Sequence, residues 1–291
     1  MNLESPGENK EIDILVVGTV RNVAQRIDEE ITNILKSLEV YGTVYFYLVE
    51  SDSTDSTLEV LAKLGKEGNL KFHSLGVLED LIPNRVNRIR YCRNIYVDFI
   101  RNSEKKYDYI VVADMDGMNK ELNREAFSRV FSTKQDWQMC AANQKFGYYD
   151  IYALRASNWS EGDYQKELQD KISGAKLTYL QEDKLRKSVI YSKMRRIPRS
   201  SEWIQVESAF GGLAVYKSEI FRIFDYSART SEEYLECEHV TLHRKMIEIG
   251  MKIFVCPEMI NSTFNEYNVN RFALVRFLKY LRKKLRNHSR T

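Results

Sequence analysis

The stretch Tyr109-Ile110-Val111-Val112-Ala113-Asp114-Met115-Asp116 decides how this chain is read. Apolar residues that run on without alternation predict a strand covered on both faces, as in a parallel sheet between layers of helices. The strand ends in two carboxylates one residue apart. On extended backbone, residues i and i+2 share a face, so Asp114 and Asp116 aim their oxygens the same way. That suits one hard divalent cation, Mn²⁺ or Mg²⁺, with an anionic ligand such as a nucleoside diphosphate. Alone, Asp-x-Asp at a strand end is more often a turn or a helix cap, so its neighbours must carry the argument.

Working outward, residues 12–17 form an apolar strand followed by the turn Gly18-Thr19-Val20-Arg21-Asn22 and a helix over 24–38. Residues 44–49 are the next strand. It runs into Glu50-Ser51-Asp52-Ser53-Thr54-Asp55-Ser56-Thr57, rich in caps and carboxylates, which starts a helix reaching residue 64. A short strand over 70–74 precedes a helix over 87–100, with Ile89, Cys92, Tyr96 and Phe99 on one stripe. On that helix Arg90, with Arg85 and Arg101 beside it, reads as a solvated basic face, while Arg93 stands out as a candidate toward the diphosphate. Beyond the opening stretch come a helix over 125–131, a strand over 137–143 and the aromatic segment from Phe146 to Tyr152.

Residues 156–201 are polar and weakly periodic, which predicts short helices in a mobile surface excursion, either a spacer or a substrate lid. Regular structure resumes over 206–216, where Gly211-Gly212 beside an apolar strand marks a close backbone approach. A helix over 238–249 stops at Gly250 and leads to a strand over 252–255. Alternating buried strands and amphipathic helices predict an α/β fold with a mostly parallel sheet. Its functional loops belong at the carboxyl ends of the strands, where Glu50 and Asp114 both fall.

Composition narrows the class. The 291 residues are 43% hydrophobic, enough for a sizeable core, and 44 Lys and Arg against 41 Asp and Glu leave a net charge of only +3. That balance, without a recognisable nucleic-acid module, argues against a nucleic-acid binder. Four scattered cysteines with no Cys-x-x-Cys pair read as reduced thiols of a cytoplasmic protein. No apolar run approaches the roughly 20 residues that span a bilayer, and residues 1–11 read as a disordered start with no signal-peptide core. The one asymmetric region is 268–291, which lacks any Asp or Glu and carries basic residues around leucines at helical spacing. It reads as a basic amphipathic helix suited to an anionic membrane surface, or equally as a helix docked on the protein's own core.

The order of these pieces resembles the nucleotide-sugar-dependent glycosyltransferases of the GT-A fold over residues 12–267. Four signals carry the resemblance: the loop Thr19-Val20-Arg21-Asn22, the acidic stretch from Glu50 to Thr57, Asp114-x-Asp116, and the helix opening Glu238-His239. It implies a nucleotide-binding half over 12–117 and an acceptor half over 118–267. Thr19, Arg21, Glu50, Asp52, Arg93 and Asp114 are then nucleotide-binding residues, and Asp114 and Asp116 hold the metal. Local features such as Tyr148-Tyr149-Asp150, Gly211-Gly212-Leu213 and Glu236-Cys237-Glu238-His239 are similar to the fungal capsule-associated α-1,3-mannosyltransferases and their microbial relatives.

Transfer of a sugar needs the leaving diphosphate neutralised and, for inversion, a base within reach of the acceptor hydroxyl. Glu238, at a helix N-terminus that favours its ionised form, is the candidate base, with Asp150 as the second candidate. Tyr149, Gly211, Gly212 and His239 are expected on the acceptor side. His239 and His243 share a helix face, a spacing that makes His243 a candidate metal ligand, although one site histidine with the other packed or exposed is the commoner outcome. The donor would be a nucleotide-diphosphate sugar and the acceptor a glycan or glycolipid. Two alternatives stay open: a nucleotidyltransferase making nucleotide-sugars, which usually opens with a Gly-rich loop where this chain has only Gly18, and a non-catalytic carbohydrate-binding relative.

Overall fold

The computed structural model describes residues 12–227, 236–265 and 267–288. The expectation for residues 1–11 lies outside the described residues. The strands are β1 (Ile12–Val20), β2 (Gly42–Glu50), β3 (Leu70–Ser74), β4 (Tyr109–Ala113), β5 (Met139–Gln144), β6 (Ile204–Val206), β7 (Leu213–Lys217) and β8 (Ile253–Ser262). They form one sheet in the order β3-β2-β1-β4-β7-β5-β8-β6. Pairings β1/β2, β1/β4, β2/β3 and β5/β8 are parallel and β6/β8 is antiparallel. By contact the chain divides into two compact units. One comprises the chain up to Gly117 with Asn123–Lys134 and Val215–Asp225; the other comprises Met118–Leu122, Gln135–Ala214 and the chain from Tyr226 on.

In the first unit β1 is buried over Ile14–Gly18 and lies between β2 and β4. The strand outruns its expected end at residue 17 because Gly18 stays in register with β2. A Cβ at Gly18 would lie 2.6 Å from the Ala113 carbonyl oxygen and 2.9 Å from Met115, so only glycine lets β1 pass the end of β4. Helix α1 (Ile27–Leu38) buries Ile27, Ile34 and Leu38, each worth about 1.5–3 kcal/mol of transfer free energy. Helix α2 (Thr57–Glu67) follows β2. Helix α3 (Arg85–Asn102) begins at Asn84, whose side chain accepts from the Val86 and Asn87 N–H groups, and it buries Tyr96, Val97 and Ile100. The basic face expected there is not solvated throughout. Arg90 is buried and donates to Asn87, and Arg101 donates to the Phe221 and Phe224 carbonyls. Helices α4 (Arg124–Ser132) and α7 (Glu219–Ile223) complete this unit.

In the second unit β5 is buried along its whole length beside β8. Strand β8 runs seven residues past its expected end at 255, because Pro257 hides the continuation from a propensity reading while the ladder to β5 simply shifts register around it. The polar excursion contains two short helices, α5 (Tyr164–Ile172), capped by Asp163, and α6 (Tyr179–Val189), opened by the capping box Thr178/Gln181. Helix α8 (Glu238–Glu248) ends before Gly250 at φ +81°, and α9 spans Ala273–His288. All four cysteines are free and buried.

Candidate active site

In the first unit the two carboxylates sit where β4 gives way to irregular backbone. Met115 between them is 1% exposed and turns inward against the Gly18 position, while Asp114 and Asp116 remain partly accessible. Gly117, at φ +99°, closes the turn. Arg93 is buried on α3 and places its Nη2 3.7 Å from Asp114 Oδ1, with Nη1 donating to the Tyr96 hydroxyl at 3.2 Å. Arg26, exposed at the start of α1, donates to the Asp116 carbonyl oxygen at 2.7 Å. Sequence reading missed Arg26. As the residue before an acidic first turn it looks like surface charge, and only the fold returns it to a residue ninety positions away.

The acidic stretch after β2 is largely a set of internal ties. Glu50 is 1% exposed; its Oε1 accepts from the Ser53 N–H at 2.9 Å and its Oε2 from the Ser74 hydroxyl at 2.5 Å. Asp52, in the left-handed region at φ +59°, accepts from the Leu78 and Glu79 N–H groups at 2.7 and 2.8 Å, with Arg88 Nε at 3.6 Å. Burial alone would raise the Asp52 pKa. The backbone donors, Ser51 and Arg88 outweigh it and hold the carboxyl below its usual value. Asp55 is held low chiefly by the Thr57 hydroxyl. The loop after β1 is stitched to this stretch: Asn22 N–H donates to Ser53, Asn22 Oδ1 accepts from Thr54 N–H, and Val23 N–H donates to Thr57. Thr19 is half-buried at the end of β1, and Arg21 is exposed and paired with Glu79 at 3.1 Å. The structure therefore brings Thr19, Arg21, Glu50 and Asp52 into one laced loop system, in which Glu50 and Asp52 shape the loops rather than stand open.

In the second unit the paired glycines form a tight turn at φ +71° and +81°. A Cβ on Gly211 would meet the Ala142 carbonyl oxygen at 2.7 Å, and one on Gly212 the Tyr149 hydroxyl at 2.8 Å. The Gly211 carbonyl accepts from Gln144 and Asn261 at 2.9 and 2.8 Å, and its N–H donates to Asp150 Oδ2 at 3.0 Å. Asp150 Oδ1 accepts from Ala153 N–H at 3.2 Å. Burial raises the Asp150 pKa; the two backbone donors and Arg155 pull against it, and the nearby Glu238 carboxylate pushes it further up. Glu238 opens α8 and is 6% exposed. Asp150 and Glu238 are thus close enough to interact electrostatically. Burial strongly raises the hydroxyl pKa values of Tyr152 and Tyr164, that of Tyr164 to about 12. Tyr149, Gly211, Gly212 and Asp150 are brought together by these contacts.

The two histidines are packed into α8's buried side. His239 stacks on Phe210 at 3.9 Å with Tyr226 edge-on at 5.7 Å. His243 is fully buried, and its Nδ1 lies 2.8 Å from Ser208 Oγ. Because the Ser208 hydroxyl donates to the Ala153 carbonyl at 2.6 Å, Nδ1 carries the proton and donates to Ser208. Burial lowers the His243 pKa to about 3, so the ring is neutral. Among the described residues no three His, Cys, Asp or Glu side chains gather as a metal set, around His243 or elsewhere.

No protein-family profile matches the chain, and no curated protein matches it in sequence. Its backbone is similar to that of the mannosyltransferase PcManGT from Pyrobaculum calidifontis in complex with GDP-Man and Mn²⁺, at TM-score 0.50 and 13% identity. That similarity covers 96% of this chain and 66% of the other. The chain has the GT-A fold. Fainter similarities reach S. aureus TarS 1-349 in complex with UDP (TM-score 0.49, 14% identity, 87% of this chain and 61% of that one). They also reach mannosyl-3-phosphoglycerate synthase from Rubrobacter xylanophilus (TM-score 0.41, 13% identity, 96% and 76%). The chain spans about two thirds of PcManGT and less of TarS.

Proposed function

We propose that this GT-A protein is a metal-dependent glycosyltransferase that moves a hexosyl group from a nucleotide-diphosphate sugar to a glycan or lipid-linked glycan. The observation that carries the reading is Asp114 and Asp116 flanking an inward Met115 at the end of β4, with Arg93 and Arg26 bonded to the same segment. The donor set fits Mn²⁺ or Mg²⁺. Two hard carboxylates, with no third protein ligand gathered beside them among the described residues, match ions that keep water and take phosphate oxygens as their remaining ligands. Asp116 would hold the cation with Asp114 assisting, and the bound ion supplies charge neutralisation for the departing diphosphate.

The chain's own residues do the rest. Arg93 and Arg26 add fixed positive charge on the diphosphate side, and the loop system tied by Glu50 and Asp52 presents Thr19 and Arg21 toward base and ribose. Glu238 accepts the proton of the acceptor hydroxyl in an inverting reaction, with Asp150 fixing the glycine turn and setting the local charge; His239 and Tyr149 line the acceptor side. His243 serves α8 as a neutral packed donor. Among the described residues no helix is long and apolar enough to cross a membrane, and the reading places the enzyme in the cytoplasm, peripheral to a membrane through α9.

Thermal shift with GDP, UDP and their sugars, with and without Mn²⁺, tests the proposal. Saturation at about 100 times Kd adds about 2.7 kcal/mol to apparent stability. The expected shift grows when the metal is present, and Asp116→Ala loses that metal-dependent increment; no shift with any nucleotide in either condition overturns the reading.

A further inference from the structure

Helix α9 is attached to its unit by polar and aromatic groups. Arg276, 8% exposed, forms a two-pronged ion pair with Asp183 of α6 (Nη2–Oδ2 2.9 Å), and its Nη1 donates to the Asn270 and Arg271 carbonyls at 2.8 and 2.9 Å. Tyr280 stacks on Tyr179, ring centroids 4.1 Å apart. Residues on an α-helix advance by about 100° each. Arg276 and Tyr280 therefore mark one face, and Leu274, Leu278 and Leu281 lie on the opposite one. These three leucines are 68%, 46% and 37% exposed. Phe277, 45% exposed, lies between the two faces, its ring centroid 6.2 Å from that of Tyr179. A helix seeking the core turns its leucines inward; this one uses an arginine and a tyrosine to dock and leaves the leucines facing away.

Charge says what covers that stripe. From residue 268 to 291 the chain has eight Lys or Arg and no Asp or Glu, although the whole protein carries only +3. Arg282 is exposed on the border of the stripe. A second copy laid stripe to stripe would bring two basic segments together with no acid in either to offset them. A nucleic acid would meet the charge and leave the leucines in water. An anionic bilayer answers both, taking leucines below the headgroups and basic side chains among them.

We propose that the Leu274–Leu278–Leu281 face of α9 is a binding surface for an anionic lipid bilayer. It deepens the membrane part of the transferase reading, and the contact itself stands without it, since vesicle binding and nucleotide binding are measured separately. The full chain is sedimented with phosphatidylcholine vesicles and with vesicles containing about a third phosphatidylglycerol, at low and at high salt. The expected result is binding to the anionic vesicles that falls at least about tenfold from low to high salt, as screening shortens the reach of surface charge. Binding should fall at least about tenfold in Leu278→Glu and less in Arg282→Glu, with melting temperatures unchanged because both residues lie off the docking face. Leu274→Gln serves as a second variant should Leu278→Glu fail to fold. Equal binding to both vesicle types, unchanged binding in the leucine variants, or a concentration-dependent dimer that Leu278→Glu abolishes would each overturn the proposal. Vesicle binding without any nucleotide response would sink the transferase reading and leave this surface standing.

Discussion

Replacing His243 with Asn should remove about 2 kcal/mol of the protein's loss of stability between pH 7 and pH 5. The ring is fully buried in α8 and bonded through Nδ1 to Ser208, and burial holds its pKa at about 3 against 6.5 when free. The folded pKa lies below the unfolded one, so the unfolded chain binds the extra proton. The stabilisation is complete above the unfolded pKa and drains away as acid is added, down toward pH 3. At pH 5 nearly all unfolded histidine is charged and nearly all folded histidine is neutral. The linkage then removes about 2 kcal/mol relative to pH 7, a large share of a typical domain's stability. Asn places an amide nitrogen near the position of Nδ1 and does not titrate, so it keeps the donor to Ser208 and loses the proton linkage. Urea unfolding of both proteins at pH 7, 6 and 5 is the assay. Carboxylate effects common to both cancel in the difference. Parallel acid losses in the two proteins would refute the reasoning and mean that the buried ring accepts its proton in place.

Asp116→Ala should abolish turnover and metal-dependent nucleotide binding with a nearly unchanged melting temperature; metal-dependent binding that survives in calorimetry would remove the metal assignment. Glu50→Ala leaves the Ser53 N–H and Ser74 hydroxyl without their acceptor. It should cost about 1–3 kcal/mol of stability and weaken nucleoside diphosphate binding even without metal, checked by denaturant melts and titration. In Glu238→Gln kcat should drop about 10²-fold or more with donor KM held, the pattern of a lost general base, and near-normal turnover would demote Glu238 to a helix cap. Gly212→Ala forces a methyl against the Tyr149 hydroxyl at positive φ and should destabilise by at least about 1 kcal/mol, whereas Gly250→Ala, at a similar φ in open space, isolates the backbone part of that cost.

The sequence by itself determined the alternation of buried strands and amphipathic helices, the parallel character of the sheet and the position of Asp114 and Asp116 at a strand end. Those features depend on local periodicity, and a residue's apolar neighbours at spacing 2 or 3.6 are written in the chain. It also marked Gly211-Gly212 as a close approach, because glycine is the residue that permits one. Where reading failed, distance along the chain was the cause. The run of β8 past Pro257 is held by the ladder to β5, not by propensity. Arg90 looked solvated on a basic helix, yet is buried in the folded unit. Arg26 gains its place only because β1 and β4 are neighbours, which brings the start of α1 to Asp116. Tertiary structure likewise decided that Glu50 and Asp52 are spent on backbone and hydroxyl donors, that His243 is a neutral buried donor, and that α9 shows Leu274, Leu278 and Leu281 to the outside. A sequence records which groups can bond or hide from water; which partner satisfies each is settled only when remote segments are packed together, since burial and hydrogen bonding are properties of the assembled neighbourhood.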